Sequence, residues 1–284
     1  MTEVYPSFFE HIQANKGAEV VPNSTTTIEN PDGSLLTVRF RGCFITNCAL
    51  TDKLSGNKIN ILYSDPDLSV GKLTASHIMS PVGPSEGIGG QHGFPRWANY
   101  QEFPQIDGPN GEKRVAFQAK RSDFGLGISK VFELGRNYLE TETIIFNSEE
   151  ETAKTSLGEH LYFALEDEKS TGLRVNGQSL DELLGKGTEA AIMAGEPCYW
   201  PLFDGAAKID FPAGYSIQLA AEVSGGQQDK LGMLIWHRPG SASICFEPTA
   251  GFNPENDNCQ LSIEQGETAT LTTRIELLND SVNL

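Results

Sequence analysis

The segment from Tyr138 to Phe146 alternates strictly between two sets of side chains. One set, which would share a face of a strand, comprises Leu139, Thr141, Thr143 and Ile145, and the residues between them include two glutamates. A repeat of two residues is the period of a β-strand, in which successive side chains point to opposite faces of the sheet. The pattern therefore predicts a strand with one buried face, as in antiparallel sheets.

Short β-rich runs separated by turn residues recur over most of the chain, and long segments with a helical repeat are missing. We predict further strands at 35–40, 42–45, 59–63, 115–120, 128–134, 161–164, 215–223, 231–237, 242–247 and 268–278. Only the segment Ser179 to Leu184 is predicted to be helical, with Ser179 as its N-cap. The sequence thus indicates an all-β protein, and without a repeat or a linker we predict one domain, residues 1–284.

Two long segments, 72–103 and 186–207, contain several Gly, Pro and aromatic residues and lie outside the predicted strands. Loops of this length inside a compact domain are usually functional or disordered. Their aromatic content favours the ordered alternative, and loops on a rigid scaffold often carry binding and catalytic residues. We therefore predict that both segments are functional loops.

The charge of the chain bears on its partners. It contains 21 Lys and Arg against 38 Asp and Glu, which gives a formal net charge of −17. An acidic surface repels phosphate backbones and anionic lipid headgroups, so neither nucleic acid nor membrane is a predicted partner. A neutral small-molecule substrate fits this charge more easily than an anionic one. No stretch reaches the roughly 20 apolar residues that a membrane-spanning helix needs.

The five cysteines are odd in number and form no Cys-x-x-Cys pair. This argues against a zinc knuckle and against a complete disulfide framework, so we predict reduced thiols, most of them buried. The first 15 residues include two glutamates and lack the basic start and apolar run of a secretory signal. A cytoplasmic location is the resulting expectation.

Three residues are candidates for chemistry. His92 lies in a glycine-rich run, Gly89 to Arg96, that lets the backbone and the imidazole approach a ligand closely. His160 begins a predicted strand, on the same face as Tyr162. Glu247 ends an apolar strand, where an unpaired buried carboxylate would be costly. Each also has a structural explanation, because a histidine can bond a loop carbonyl or begin a strand and a carboxylate can pair with a partner.

Together, these residues lie in motifs that resemble the aldose 1-epimerase family, whose fold is galactose mutarotase-like. The matching runs, in order, are Gly90 to Arg96, Asn147, His160 to Phe163, Ile235-Trp236 and Cys245 to Pro248, with weaker matches at Gly42 to Ile45 and Gln265 to Glu267. The resemblance spans residues 36–278. It implies a large antiparallel β-sandwich, in agreement with the all-β prediction.

The resemblance implies that Glu247 is a catalytic base, His160 a catalytic acid and His92 a further catalytic histidine. Opening a pyranose ring removes the proton of the anomeric hydroxyl and protonates the ring oxygen, so a base and an acid must face each other across the sugar. The implied activity is interconversion of α and β anomers, with neither a cofactor nor a metal. The other predicted substrate-binding residues are Arg96, Gln91, Tyr162, Trp97 and Trp200, with Tyr199 as an alternative aromatic platform.

The substrate and the activity keep alternatives open. Arg96 resembles an arginine of the family branch that acts on hexose 6-phosphates, but Met79 to Pro84 lacks the Arg-Gly-Gly-x-Pro element usual there. The expected ligand is therefore a sugar or a sugar phosphate, bound by a monomer or weak dimer. A non-catalytic carbohydrate-binding sandwich is the alternative function. A cupin-like metal enzyme is disfavoured, because such sites draw on a His-x-His cluster and the sequence contains none.

Overall fold

The computed structural model describes residues 24–66, 74–85, 90–119, 125–166, 172–201, 203–226, 231–256 and 260–278. This part of the chain contains twenty strands and two short α-helices, and all its strand pairs are antiparallel. None of the helices in these ranges combines the length and the apolar character needed to cross a membrane.

The strands fall along the whole described chain. The first ten are β1 (Thr25–Glu29), β2 (Leu35–Arg39), β3 (Phe44–Thr51), β4 (Lys58–Asn60), β5 (His77–Met79), β6 (Tyr100–Glu102), β7 (Ile106–Asp107), β8 (Lys113–Ala119), β9 (Leu126–Leu134) and β10 (Tyr138–Asn147). The others are β11 (Ala153–Thr155), β12 (Leu157–Ala164), β13 (Arg174–Val175), β14 (Cys198–Trp200), β15 (Ala206–Asp210), β16 (Ser216–Gly225), β17 (Leu231–His237), β18 (Ser243–Ala250), β19 (Leu261–Ile263) and β20 (Thr268–Leu278).

The largest sheet has nine strands, in the order β13-β15-β16-β20-β10-β9-β8-β6, with β7 also paired to β8. Its long central strands β10 and β20 show the period of two most clearly. The predicted inward set of β10, Leu139, Thr141, Thr143 and Ile145, is buried, and buried residues also alternate along β20. The alternation in the sequence thus correctly identified the core face of this sheet.

A five-stranded sheet has the order β14-β17-β18-β12-β5. All residues of β5 and β18, and all but one of β12, are buried. One face belongs to the hydrophobic core, where the rings of Phe163 and Phe246 lie 5.9 Å apart. The opposite face of β12 and β18 carries His160 and Glu247 instead. Two smaller sheets, β1-β2-β3-β4 and β11-β19, complete the described strands.

A buried ion pair connects the two large sheets. Lys130 of β9 donates to the carboxylate of Glu159 on β12, and the two side chains are 1% and 2% exposed. The Lys130 ammonium also donates to the hydroxyls of Thr141, at 2.9 Å, and Thr143, at 2.7 Å. All three hydrogen bonds of an ammonium are therefore satisfied, as a buried charge requires. The pair holds β12 against the nine-stranded sheet at the residue next to His160.

The helices are α1 (Leu180–Leu184) and α2 (Thr188–Met193). The predicted N-cap of α1 is confirmed, because Ser179 and Glu182 form a reciprocal capping box. The expectation that no other segment is helical is wrong, since α2 lies in the predicted loop 186–207. Its six residues are mostly good helix formers but too few to show a helical repeat in the sequence.

The all-β prediction is confirmed, and the predicted strands 231–237 and 268–278 coincide with β17 and β20. Glu247 lies inside β18, not at its end, because the strand continues through Pro248 to Ala250. Strands that had no counterpart in the prediction are β1, β5, β6, β7, β11, β13, β14, β15 and β19. Four cysteines are free thiols, three of them buried, whereas Cys259 lies outside the described residues. The single domain stays a prediction.

Candidate active site

Neighbouring strands of the five-stranded sheet each contribute one residue to a row across one face. His77 of β5 is the direct partner of His160 on β12, and the register between β12 and β18 puts Glu247 opposite His160 on the other side. The row continues with Leu234 on β17 and Tyr199 on β14. Opposite residues of antiparallel strands project from the same face, so these side chains meet although they are far apart in sequence.

His160 and Glu247 form the centre of the row. Nε2 of His160 lies 3.2 Å from Oε1 of Glu247, and both side chains are only 4% exposed. Tyr162 stacks on His160 with ring centroids 4.4 Å apart, and its hydroxyl lies 3.4 Å from the same nitrogen. Trp236 meets the His160 ring edge-on at 5.8 Å and donates its Nε1–H to the carbonyl of Gly195 at 2.8 Å. These contacts fix the orientation of the imidazole.

His92 reaches the site from the loop before Phe94–Arg96, a 3-10 helical turn. Its backbone N–H donates to the carbonyl of Gly83 at 2.8 Å. Gly93 follows with φ 70°, and a Cβ there would lie 1.8 Å from the carbonyl oxygen of Ser80, so only glycine fits. The N–H of Gly83 donates to Nδ1 of His92 at 3.3 Å, so the neutral ring carries its proton on Nε2. The side-chain amide nitrogen of Gln91 lies 3.2 Å from Nε2, and the amide must turn its oxygen to this N–H to accept from it. His92 can therefore donate a hydrogen bond to a ligand oxygen.

His77 is a functional candidate that sequence reasoning missed. Its ring stacks on His160 with centroids 4.8 Å apart and lies 5.5 Å from the ring of His92. The Nδ1–H of His77 donates to the carbonyl of Ala75 at 2.8 Å, which leaves Nε2 as the acceptor nitrogen. Its strand is three residues long and buried throughout, so the sequence shows no alternation that could have placed this side chain.

Arg96 brings a positive charge to the histidines. It is 4% exposed, and its guanidinium carbon lies 6.0 Å from the centroid of the Phe44 ring and 5.8 Å from that of Trp97. Burial lowers the pKa of His77 well below 6.5, and the charges of His160, Arg96 and His92 lower it further. The imidazole of His77 is therefore neutral at physiological pH.

The central pair holds its shared proton in an unusual place. Burial raises the pKa of Glu247 from 4.5 to about 8. The pKa of His160 is well below 6.5, because burial first, and then the charges of His92 and Arg96, disfavour the imidazolium. Glu247 is a carboxylate neighbour of His160, but the net pKa shift of His160 is downward. At neutral pH the empty cleft therefore holds one proton between the two groups, on the carboxyl of Glu247.

Four residues of the row, His160, Glu247, Leu234 and Tyr199, line an open cleft of about 690 Å³, which is within the usual range for ligand pockets. Of the predicted site residues, His92, His160, Glu247, Arg96, Gln91 and Tyr162 line this cleft together. Lining residues that were not predicted include Leu234, Trp236, Arg238 and Phe252. The two segments that were predicted to be functional loops both contribute to the cleft lining, since 72–103 contains His92 and 186–207 contains Tyr199.

Two predicted aromatic residues lie elsewhere. Trp200 is 7% exposed and packs in the core, 5.6 Å from the ring of Phe203. Alternation along β14 explains this, because Trp200 and Tyr199 must face opposite sides of the sheet, and Tyr199 faces the cleft. Trp97 is 37% exposed and is not among the cleft-lining residues. The aromatic side chains that line the cleft are Tyr162, Tyr199, Trp236 and Phe252.

Two groups of side chains in the described chain are close enough to hold a metal ion. The ligand atoms of His77, His92 and His160 lie within 4.8 Å of one another, and so do those of His160, Cys245 and Glu247. In the first group the charge of Arg96 opposes a cation. In the second, burial raises the pKa of the Cys245 thiol well above its ordinary value, so the thiolate that a metal needs is disfavoured.

Solved structures with the same fold exist at low sequence identity. The chain is similar to the Slr1438 protein from Synechocystis sp. PCC 6803, with a TM-score of 0.67, 16% identity and coverage of 94% of this chain and 99% of that one. It is similar to a galactose mutarotase-like protein from Lactobacillus casei, with a TM-score of 0.61, 16% identity and coverage of 90% and 100%. A galactose mutarotase related enzyme from Lactobacillus acidophilus gives a TM-score of 0.64, 14% identity and coverage of 92% and 100%.

No protein-family model and no curated protein matches the sequence. At identities of 14% and 16% the structural likenesses show the fold alone. The chain therefore has the galactose mutarotase-like fold, a large antiparallel β-sandwich, and the sequence resemblance to that fold is confirmed. Function depends on the site, because one fold can carry many activities.

Proposed function

We propose that the chain is an aldose 1-epimerase, an isomerase that interconverts the α and β anomers of an aldohexose or of its 6-phosphate. The observation that carries the proposal is the contact between Nε2 of His160 and Oε1 of Glu247, 3.2 Å apart at the base of a cleft. Ring opening needs one group to take a proton from the anomeric hydroxyl and another to give one to the ring oxygen. An imidazole and a carboxylate that share one proton meet this need.

The proton count of the pair fits the reaction. A neutral imidazole beside a carboxylic acid holds the same single proton as an imidazolium beside a carboxylate. Transfer of the proton from Glu247 to His160 on sugar binding produces the reactive form. Glu247 then takes the proton of the anomeric hydroxyl while His160 gives its proton to the ring oxygen, and the bond between C1 and the ring oxygen breaks. After rotation about C1–C2, the same steps in reverse close the ring to the other anomer.

Four further residues would hold the sugar. Nε2–H of His92 can donate to the ring oxygen or to a neighbouring hydroxyl, with Gln91 beside it. Trp236 lines the cleft and, with Tyr162, presents aromatic surface to a sugar face. The proposed reaction uses side chains alone and requires neither a cofactor nor a metal.

The experiment that tests the activity follows anomer exchange directly. Freshly dissolved α-glucose, α-galactose and α-glucose 6-phosphate are monitored by polarimetry or NMR with and without the protein. Glu247→Gln keeps the shape of the side chain but cannot take the proton, so kcat should fall by about 10² or more, and His160→Asn should act similarly. The double variant should lose far less than the product of the two losses, because the groups act as a unit.

A carbohydrate-binding protein without turnover is the alternative, and the same experiment separates the two. Saturable sugar binding without faster anomer exchange would favour binding alone. Wild-type turnover in purified Glu247→Gln protein would remove Glu247 from the mechanism. The pairing of His160 with Glu247 favours the enzyme, since a binding site needs no shared proton.

A variant of Arg96 tests whether the substrate carries a phosphate. It lines the cleft beside the histidines, so a phosphorylated sugar would find its guanidinium there. We expect Arg96→Ala to raise KM for the 6-phosphate far more than KM for the free hexose. Equal effects on both would assign Arg96 a structural role. As further parts of the proposal, the protein works in the cytoplasm, as a monomer or weak dimer, with no nucleic acid or membrane partner.

A further inference from the structure

A second pocket of about 410 Å³ adjoins the cleft. Three residues, Pro197, Tyr199 and Pro254, line both pockets. Tyr199 is held in place, because its hydroxyl donates to the carbonyl of Phe252 at 3.0 Å and its ring meets the Phe252 ring edge-on at 6.1 Å. Tyr199 and the two prolines therefore form a boundary that is common to the cleft and the second pocket.

The row of side chains gives the distance from the proton-transfer pair to Tyr199, which lines the second pocket. Glu247, Leu234 and Tyr199 lie on three successive strands, β18, β17 and β14. Neighbouring strands are about 4.8 Å apart, so Tyr199 lies roughly 10 Å from the proton-transfer pair. This span is longer than one pyranose ring. A ring whose anomeric carbon lies at Glu247 leaves the second pocket empty, whereas a second ring linked to its far side would enter it.

The chemistry of the second pocket suits a neutral sugar ring. Its described lining contains the carboxylates of Glu196 and Glu255, the amide of Asn253 and the hydroxyl of Thr188, and no Lys or Arg. Carboxylates accept hydrogen bonds from hydroxyl groups and amides both accept and donate them, whereas two carboxylates repel a phosphate. Asn253 is also ordered, since its Oδ1 accepts the backbone N–H of Glu255 at 2.9 Å. Tyr199 supplies the apolar face on which a ring can lie.

We infer that the substrate is the reducing end of a disaccharide or longer neutral oligosaccharide, with the reducing ring at His160 and Glu247 and the next ring in the second pocket. The inference rests on the proposed anomer exchange and adds its substrate class. The second pocket provides affinity for the ring that does not react, and the cleft provides the chemistry.

Ala191 offers a variant that fills the second pocket alone. It lies on α2 and lines this pocket but not the cleft. Ala191→Phe should exclude the second ring and leave the proton-transfer pair untouched. Its neighbour Ala190 is exposed on the same helix and lines neither pocket, so Ala190→Phe is the matched control for helix stability and added apolar surface.

Anomer exchange is measured with α-glucose, β-maltose and α-lactose, and calorimetry measures binding of glucose and maltose to the same proteins. We expect kcat/KM for at least one disaccharide to exceed that for glucose by about tenfold, the effect of roughly 1.4 kcal/mol of added binding. Ala191→Phe should abolish this advantage and weaken maltose binding by a similar factor, whereas glucose kinetics stay unchanged. Ala190→Phe should behave as wild type.

Two other results have different meanings. Exchange of glucose without an advantage for either disaccharide, or an advantage that survives Ala191→Phe, overturns the oligosaccharide inference and leaves the epimerase proposal standing. No exchange with any sugar overturns the epimerase proposal. In that case calorimetry still tests whether the second pocket binds a sugar ring. Maltose binding that is no tighter than glucose binding, or that is unchanged in Ala191→Phe, excludes a second ring there.

Discussion

Replacement of Glu247 by Gln should change the pH dependence of stability as well as activity. Burial raises the pKa of Glu247 from 4.5 to about 8. Each tenfold change in proton affinity corresponds to about 1.4 kcal/mol, so ionisation of Glu247 opposes folding by about 5 kcal/mol once the pH exceeds 8. The amide in Glu247→Gln has nearly the same shape and does not ionise, so this contribution disappears in the variant.

The sign follows from the proton count of the two states. Between pH 4.5 and about pH 8 the folded protein keeps the proton on Glu247, whereas the unfolded chain has lost it. Because the folded state binds more protons, the free energy of unfolding falls as the pH rises through this window. Relative to Glu247→Gln, the wild type should therefore be most stable below about pH 4.5 and should lose about 4 kcal/mol by pH 8, with the full loss of about 5 kcal/mol above that pH.

Urea unfolding of both proteins at pH 5, 6, 7 and 8 measures this difference, since contributions from other groups are common to both and largely cancel. Glu150→Gln removes an exposed carboxylate and is the matched control for the loss of one charge. A difference between wild type and Glu247→Gln that stays constant within about 1 kcal/mol over this range would refute the argument that burial holds the proton on Glu247.

Three other predictions concern activity and the fold. Anomer exchange should be lost as the pH rises through about 8, because Glu247 then gives up the shared proton. It should persist below pH 6.5, because the pKa of His160 is lowered, and loss of activity as the pH falls through 6.5 would contradict this. Dialysis against a chelator should leave the exchange rate unchanged, and activity restored by zinc would contradict a metal-free reaction. Lys130→Met leaves the buried Glu159 unpaired and should lower the free energy of unfolding by about 3–5 kcal/mol in urea titration, whereas Lys154→Met at an exposed site should change it little.

The elements that the sequence predicted well are those whose pattern is local. β10 and β20 have 10 and 11 residues, enough for an alternation to be visible without any knowledge of their neighbours. β5 and β14 have three residues each, and they are strands because β12 and β17 pair with them. Their existence depends on residues about 80 and 35 positions away, which no local window contains.

The residues of the candidate site also separate into those with a local sequence pattern and those without one. His92, His160 and Glu247 were identifiable because each lies in a motif, and the structure brings all three to one cleft. His77 and Tyr199 lie on the short strands, so their side-chain directions were not predictable. A position one residue away on a strand faces the other side of the sheet. The aromatic platform was accordingly predicted at Trp97 or Trp200 with Tyr199 as the alternative, and of these three residues Tyr199 lines the cleft.

Protonation is the property of the site that the sequence predicts least well. Ordinary pKa values predict a carboxylate at Glu247 and a partly protonated His160 near neutral pH. The three-dimensional site reverses this, because the same burial that brings the two groups into contact removes the water that stabilises their charges. The proposed reaction survives the reversal, since the pair still holds one proton. What changes is the condition for the proposed activity. A bound sugar must favour the charged form of the pair, so the hydroxyl groups of the sugar that donate to the Glu247 carboxylate become part of the catalyst.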